Sequence, residues 1–342
     1  MLKRIALVLA STALSCWIAW WLWSERRLDP SIALVMNNAP RYQRRSGYYT
    51  YVPGDRFVHR PWGEEERQVV VEIDEHGLRN PSNTLDSADV IVLGDSFASA
   101  LNTDADKRFT TDLAGITGLR VYDAGVDGFS TFQEARLLRD LLSAGAHPKT
   151  VLLLFYTGND FRDNFMDNVK ISQTSFMGST LVAQAQLMHA HPHYAANMQA
   201  FRKTGEALEL VRDTLKEREI RLLVVGIPTI IEVMQTARMY NANEKFWMDQ
   251  KELEDFQSAI NSPDISFDVA DWRLRNILEA GHVEYVSLLN DFREHASERL
   301  YGWPDTHWTV RGQALAAELV ARRLAPQGTS NTKSDPTRPT GS

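Results

Sequence analysis

Cysteine is almost absent: Cys16 is the only one in 342 residues. A single thiol excludes disulfides within the chain and any cysteine-based metal site, so a domain outside the cytoplasm would rely on its core alone. Basic charge is also short, with 37 Lys and Arg against 44 Asp and Glu and a formal net charge of −7. No basic stripe offsets that balance, so the footprint that nucleic acid requires is missing. A strongly anionic substrate gains no general attraction either. Several signature loops are lacking: there is no Gly-x-Ser-x-Gly elbow, no Gly-x-Gly-x-x-Gly dinucleotide turn and no phosphate loop ending in Gly-Lys-Ser/Thr. What is present, 44% apolar and 24% charged residues, is ordinary for a folded domain.

One long apolar run stands out. Lys3 and Arg4 precede residues 5–23, whose only polar members are Ser and Thr. As a helix, about 19 residues just span a bilayer core of ~30 Å. Trp17, Trp20, Trp21 and Trp23 crowd its distal half like an interfacial belt. We read residues 1–25 as an uncleaved membrane anchor rather than a signal peptide, because the run exceeds an ordinary h-region and no small-x-small site closes it. Ala13-Leu14-Ser15 is a poor lipobox, so Cys16 reads as a buried structural thiol. Lys3 and Arg4 are nearly balanced by Arg26 and Arg27 beside Glu25. The orientation adopted has a cytoplasmic N-terminus and an extracytoplasmic, periplasmic domain.

Residues 26–66 hold Pro30, Pro40, Pro53 and Pro61 and the cluster Arg41, Arg44, Arg45 without clear periodicity. They are expected to form a solvated stalk and lead-in. Residues 68–73 are a short strand candidate, and Gly77, Asn80 and Pro81 mark a turn. From residue 88 the pattern alternates. Strands are expected at 89–93, 119–122, 150–156, 220–227 and 283–288, with helices near 97–116, 132–144, 205–218, 272–280 and 311–323. Apolar strands separated by amphipathic helices imply a doubly wound parallel sheet. Residues 161–198 and 229–269 exceed simple βα units and carry several Met residues; they are expected to be lid-like insertions or ordinary helical packing. Residues 327–342 are expected to be a disordered tail.

The chemistry-bearing residues fall where these strands end. The first strand hands over Gly94-Asp95-Ser96-Phe97, although a serine there is more often a helix N-cap. The second ends at Asp123-Ala124-Gly125-Val126-Asp127-Gly128, the third at Thr157-Gly158-Asn159-Asp160, and Asp305-Thr306-His307-Trp308 precedes the closing helix. A serine hydroxyl needs a base to attack a carbonyl, and an imidazole oriented by a carboxylate is such a base. The oxyanion that forms needs preorganised donors, for which a glycine N–H and an asparagine amide are suited.

The four blocks resemble the SGNH (GDSL-type) hydrolase family over roughly residues 70–325. The resemblance implies a three-layer α/β/α, flavodoxin-like domain at residues 67–326. It implies Ser96 as nucleophile, His307 as base and Asp305 as its orienter. The oxyanion hole would come from the N–H groups of Ser96 and Gly128 and the side chain of Asn159, with Gly128 preferred to Gly125 because a helix opens just after it. Asp95 and Asp160 would fix the loops. The family's common Asp-x-x-His is here Asp-x-His, a form that looks like proteins that O-acetylate exopolysaccharides and like several membrane-anchored hydrolases.

A rival base is His76 in Asp74-Glu75-His76, but the following Gly77-Leu78-Arg79-Asn80 resembles a turn found ahead of the first block, and His307 is preferred. His189, His191 and His193 hint at metal but lack a clustered carboxylate, so no metal or cofactor is expected. The leading expectation is a serine esterase removing acyl groups, acetyl foremost, from an extracytoplasmic glycan or a similar small-molecule ester. The alternatives are an exopolysaccharide O-acetyltransferase served by a membrane acyl-transfer partner, and a non-catalytic glycan-binding scaffold.

Overall fold

The computed structural model describes residues 40–61, 67–166, 195–235, 250–302 and 306–324. The expected membrane helix, the His189, His191 and His193 run, Asp305, the 327–342 tail and the middle of both expected insertions lie outside them. Among the described residues no helix is long and apolar enough to cross a membrane.

In chain order the strands are β1 (Tyr42–Arg44), β2 (Tyr49–Tyr51), β3 (Arg56–His59), β4 (Val69–Glu72), β5 (Val90–Gly94), β6 (Val121–Gly125), β7 (Thr150–Tyr156), β8 (Arg221–Ile227) and β9 (Glu284–Ser287). The helices are α1 (Ser96–Ser99), α2 (Phe109–Thr117), α3 (Thr131–Ser143), α4 (Asp160–Phe165), α5 (Ala195–Lys216), α6 (Ile230–Met234), α7 (Gln250–Ile260), α8 (Val269–Ala280), α9 (Leu289–Glu294) and α10 (Val310–Leu324).

Five strands form one parallel sheet in the order β6-β5-β7-β8-β9. Relative to sequence this is 2-1-3-4-5, the flavodoxin-like order, whose switch point opens a crevice at the carboxyl ends of β5 and β7. Alternation along each strand divides the core into two layers. Ile91, Leu93, Val151, Leu153 and Phe155 pack on one face with α3, α5 and α8. Val90, Val92, Leu152 and Leu154 pack on the other with α2, α6, α9 and α10. Both faces are therefore dry, which is why β5 and β7 read as unbroken apolar runs. Capping boxes start the helices that must begin sharply: Ser130 with Gln133 opens α3, and Thr229 with Glu232 opens α6.

Two expectations change. The stretch read as one helix near 97–116 is broken: α1 ends at Ala100 in the left-handed region (φ 45°), and α2 begins only at Phe109. Residues 40–61, expected within a stalk, are folded. β1 pairs with β2 and β3 with β4 as antiparallel hairpins, and Tyr48, Tyr51 and Phe57 are buried in the same core layer as α3. Strands of three or four residues with ambivalent tyrosines carry too little alternation to be read as strands.

Candidate active site

The turn after β5 is built by Asp95. Its carboxylate accepts the Phe97 N–H at 3.0 Å, capping α1, and accepts from Asn159 Nδ2 at 2.9 Å. Burial pushes the Asp95 carboxyl up, against the pull of those donors and of His307. Ser96, half-buried between capped neighbours, faces His307: Nε2 lies 2.8 Å from Oγ. This contact joins residues 211 positions apart.

His307 rides on a short antiparallel loop. Tyr301 and Trp308 form an isolated bridge, the Gly302 N–H donates to the His307 carbonyl at 2.7 Å, and the Thr309 N–H donates to Leu300 at 2.9 Å. Thr306, just before the histidine, is held at φ 60°, a left-handed conformation that a β-branched residue adopts only under constraint. Phe97 supports the imidazole with ring centroids 5.0 Å apart, and Trp308 packs edge-on against Phe97 at 5.2 Å. The side chain next to the serine thus helps to seat the histidine, a role its place in the block does not reveal.

Gly125 and Gly128 have different jobs. A Cβ on Gly125 would stand 2.4 Å from Ser99 N and 2.5 Å from Ala98 Cβ, so this glycine lets α1 lie against β6. Gly128 sits in the turn beyond β6 at φ +72°, where glycine is at ease. The backbone N–H groups of Ser96 and Gly128 donate to no protein acceptor among the described residues. Asn159 follows β7. Its amide nitrogen lies 2.9 Å from Asp95 and 3.3 Å from Asp163, and its oxygen is buried without a partner. Asp160 fastens the same loop by accepting the Tyr156 N–H at 2.8 Å.

The rival pair does not line this site. Asp74 accepts from the His76 and Leu78 N–H groups, from Tyr122 at 2.7 Å and from Asn80, while the His76 ring lies 3.8 Å from Glu75. The turn that follows acts as a brace. The buried Arg79 guanidinium donates to the carbonyls of Ser99, Ala100 and Thr103, satisfying the open end of α1.

Beside Ser96 and His307 is a cavity of about 210 Å³, with Phe97, Leu101 and Trp308 on its apolar side and His59, Arg60, Asn102, Thr103 and Asp127 among its polar lining. His59 Nε2 and Asn102 Oδ1 are 2.7 Å apart. His59 and Arg60 come from the end of β3, and sequence reasoning missed them because that hairpin read as lead-in. Among the described residues no cluster of His, Cys, Asp and Glu has the form of a metal site.

No family model matches the chain, and no curated protein matches it in sequence. Among solved structures it is similar to a catalytic mutant of an acetylxylan esterase from Geobacillus stearothermophilus, at 14% identity over 70% of this chain and 94% of that one, with a TM-score of 0.41. It is similar to a GDSL-like lipase from Bacteroides thetaiotaomicron, at 12% identity over 69% and 86%, TM-score 0.40. A third is an alpha/beta hydrolase enzyme from the metagenome of Lake Arreo, Spain, at 14% identity over 68% and 94%, TM-score 0.39.

Proposed function

We propose that the chain is a serine-dependent ester hydrolase that forms an acyl-enzyme on Ser96. The observation that carries this is the 2.8 Å contact between His307 Nε2 and Ser96 Oγ at the carboxyl edge of a parallel sheet. In this reading His307 takes the hydroxyl proton as Ser96 Oγ attacks the ester carbonyl. The tetrahedral oxyanion is met by the N–H groups of Ser96 and Gly128. One Asn159 amide hydrogen stays on Asp95, and the other leaves its long 3.3 Å contact with Asp163 for the oxyanion. His307 then returns the proton to the departing alcohol, and water enters by the same base to free the acid. Asp305 is the proposed orienter of His307.

The cavity of about 210 Å³ is lined by Phe97, Leu101 and Trp308 as well as by His59, Arg60, Asn102 and Asp127, which suits a short acyl group on a polar alcohol. We therefore favour an acetylated glycan as substrate. The apolar run at residues 5–23 supports attachment to a membrane, and this reading places the domain outside. The Asp-x-His spacing favours a second reading, in which a sugar hydroxyl replaces water and the protein is an O-acetyltransferase.

The test is hydrolysis of a short-chain aryl ester together with labelling by a fluorophosphonate. The parent protein should turn over and label, and Ser96→Ala should lose both, with at least about a thousandfold drop in rate. His307→Ala should follow it and His76→Ala should not. Asn159→Ala should cost about 10²–10³ in kcat. Turnover by Ser96→Ala at the parent rate would sink the reading. Net acetyl gain on a bare polysaccharide supplied with an acyl donor would decide for the transferase.

A further inference from the structure

We propose that the hairpin β1–β2 sets the oxyanion hole, with Tyr49 and Tyr51 as positioning residues that aim the Gly128 N–H at the reacting carbonyl; this rests on the ester-hydrolase reading. The argument begins with the peptide plane. The carbonyl of Asp127 and the N–H of Gly128 belong to one planar unit and point in opposite directions. Whatever fixes that carbonyl also fixes the N–H. The Tyr49 hydroxyl donates to the Asp127 carbonyl at 2.7 Å. It therefore holds the Asp127–Gly128 peptide from behind.

That peptide needs holding. Gly128 lies at φ +72° in a turn outside the sheet ladder, and glycine tolerates both orientations of the preceding peptide at little steric cost. A flipped peptide would present a carbonyl oxygen to the oxyanion in place of a donor. Tyr51 secures the other side of the same residue. Its hydroxyl lies 3.2 Å from Asp127 Oδ1 and accepts the Asp127 N–H at 3.3 Å, while Ser99 at the end of α1 donates to the same carboxylate oxygen. The Asp127 turn is thereby tied to the helix that carries Ser96. The clamp is itself rigid: Tyr49 packs edge-on against Phe129 and Tyr42, both at 5.1 Å between centroids, and Tyr51 is fully buried. Burial and the Asp127 charge push both phenols well above their ordinary range, so the Tyr49 hydroxyl remains a donor at neutral pH.

Tyr49→Phe removes one hydroxyl and leaves the ring packing in place. We expect kcat on an aryl ester to fall ten- to a hundredfold with KM within twofold of the parent, and the thermal midpoint to stay nearly unchanged. Tyr51→Phe should give a smaller loss of the same kind. The second readout needs no turnover: with glycine ¹⁵N-labelled, the Gly128 amide resonance should move or split in Tyr49→Phe, as the Asp127–Gly128 peptide loses its single orientation. An unchanged Gly128 amide overturns the proposal whatever the activity, and so does an unchanged kcat in an active parent. A parent no faster than Ser96→Ala overturns the esterase reading instead, and the Gly128 amide resonance still decides whether Tyr49 holds the peptide.

Discussion

Gly125 leaves no room for a methyl group. The added carbon would lie within 2.5 Å of both Ser99 N and Ala98 Cβ, neither of which is the end of a flexible side chain. Relief requires α1 to move off β6, and Ser96 is the first residue of α1. Gly125→Ala should therefore lower kcat/KM at least tenfold and cost about 1–3 kcal/mol of stability, measured by aryl-ester kinetics and urea unfolding. Parent-like kinetics would show that α1 can shift without disturbing the serine. Ser96, Asn159 and His307 stood out in the sequence because each lies a few residues after an apolar strand or before a helix, and the structure brings Ser96 and His307 together. The division between Gly125 and Gly128 was only half legible: the helix opening marked Gly128, but nothing local marks Gly125 as the point where α1 touches the sheet. The positions of Tyr49, Tyr51 and His59 could not be read, since each acts through a contact more than 40 residues away.

At the level of elements, a buried polar lattice joins the apolar packing of Phe97 and Ala98 in positioning the serine helix. Arg108 donates to Asp123 at 2.7 Å and to the Arg79 carbonyl at 3.0 Å, both partners being buried. Asp123 Oδ1 accepts the Gly125 N–H at 2.8 Å, and Asn80 pairs with the Asp123 backbone on both sides. Burial pushes the Asp123 carboxyl up to about 6 despite the neighbouring guanidinium groups of Arg108 and Arg79. Arg108→Ala strands that carboxylate without its cation, and unfolding free energy should drop by about 3–5 kcal/mol. Replacing Asp123 by Asn in the same background should recover part of the loss; no recovery would mean that Arg108 acts mainly through the Arg79 carbonyl. The five parallel strands were readable because burial on both faces makes them apolar throughout. The two hairpins were not, because their strands are short and their tyrosines have one wet end and one dry end.

Across the whole molecule, three acids are buried with oxygens left unpaired: Glu134, Asp160 and, apart from them beside Thr157 and Thr229, Glu232. Both oxygens of Glu134 are buried without a partner, as are Asp160 Oδ1 and Glu232 Oε1. Burial raises Glu134 and Asp160 well above the carboxylate range, and Glu232 reaches about 7. In the unfolded chain these groups ionise near 4. Their protonated forms are therefore favoured by folding, and the stability this gives is complete below about pH 4 and is lost as pH rises through the higher folded values. The thermal midpoint should fall between pH 5.5 and 8.5. Glu134→Gln should raise it at pH 8.5 and do little at pH 5.5, as followed by circular dichroism. A uniform shift at both pH values would show that Glu134 ionises normally in the fold.

The distance along the chain between Ser96 and His307, 211 residues, has a consequence for the protein's synthesis. At ribosomal speeds of about 5–20 residues per second, the serine emerges roughly 10–40 s before its partner exists. The helix that follows His307 docks on α2 through a second long reach, the Phe109 N–H to Gln313 Oε1 at 2.7 Å, so the pair forms only once α10 has been made and docked. Until that moment the hydroxyl is chemically inert. Under the proposed ester-hydrolase reading, a nascent or partly folded chain cannot attack esters, and the onset of turnover would be a clock for the completion of folding.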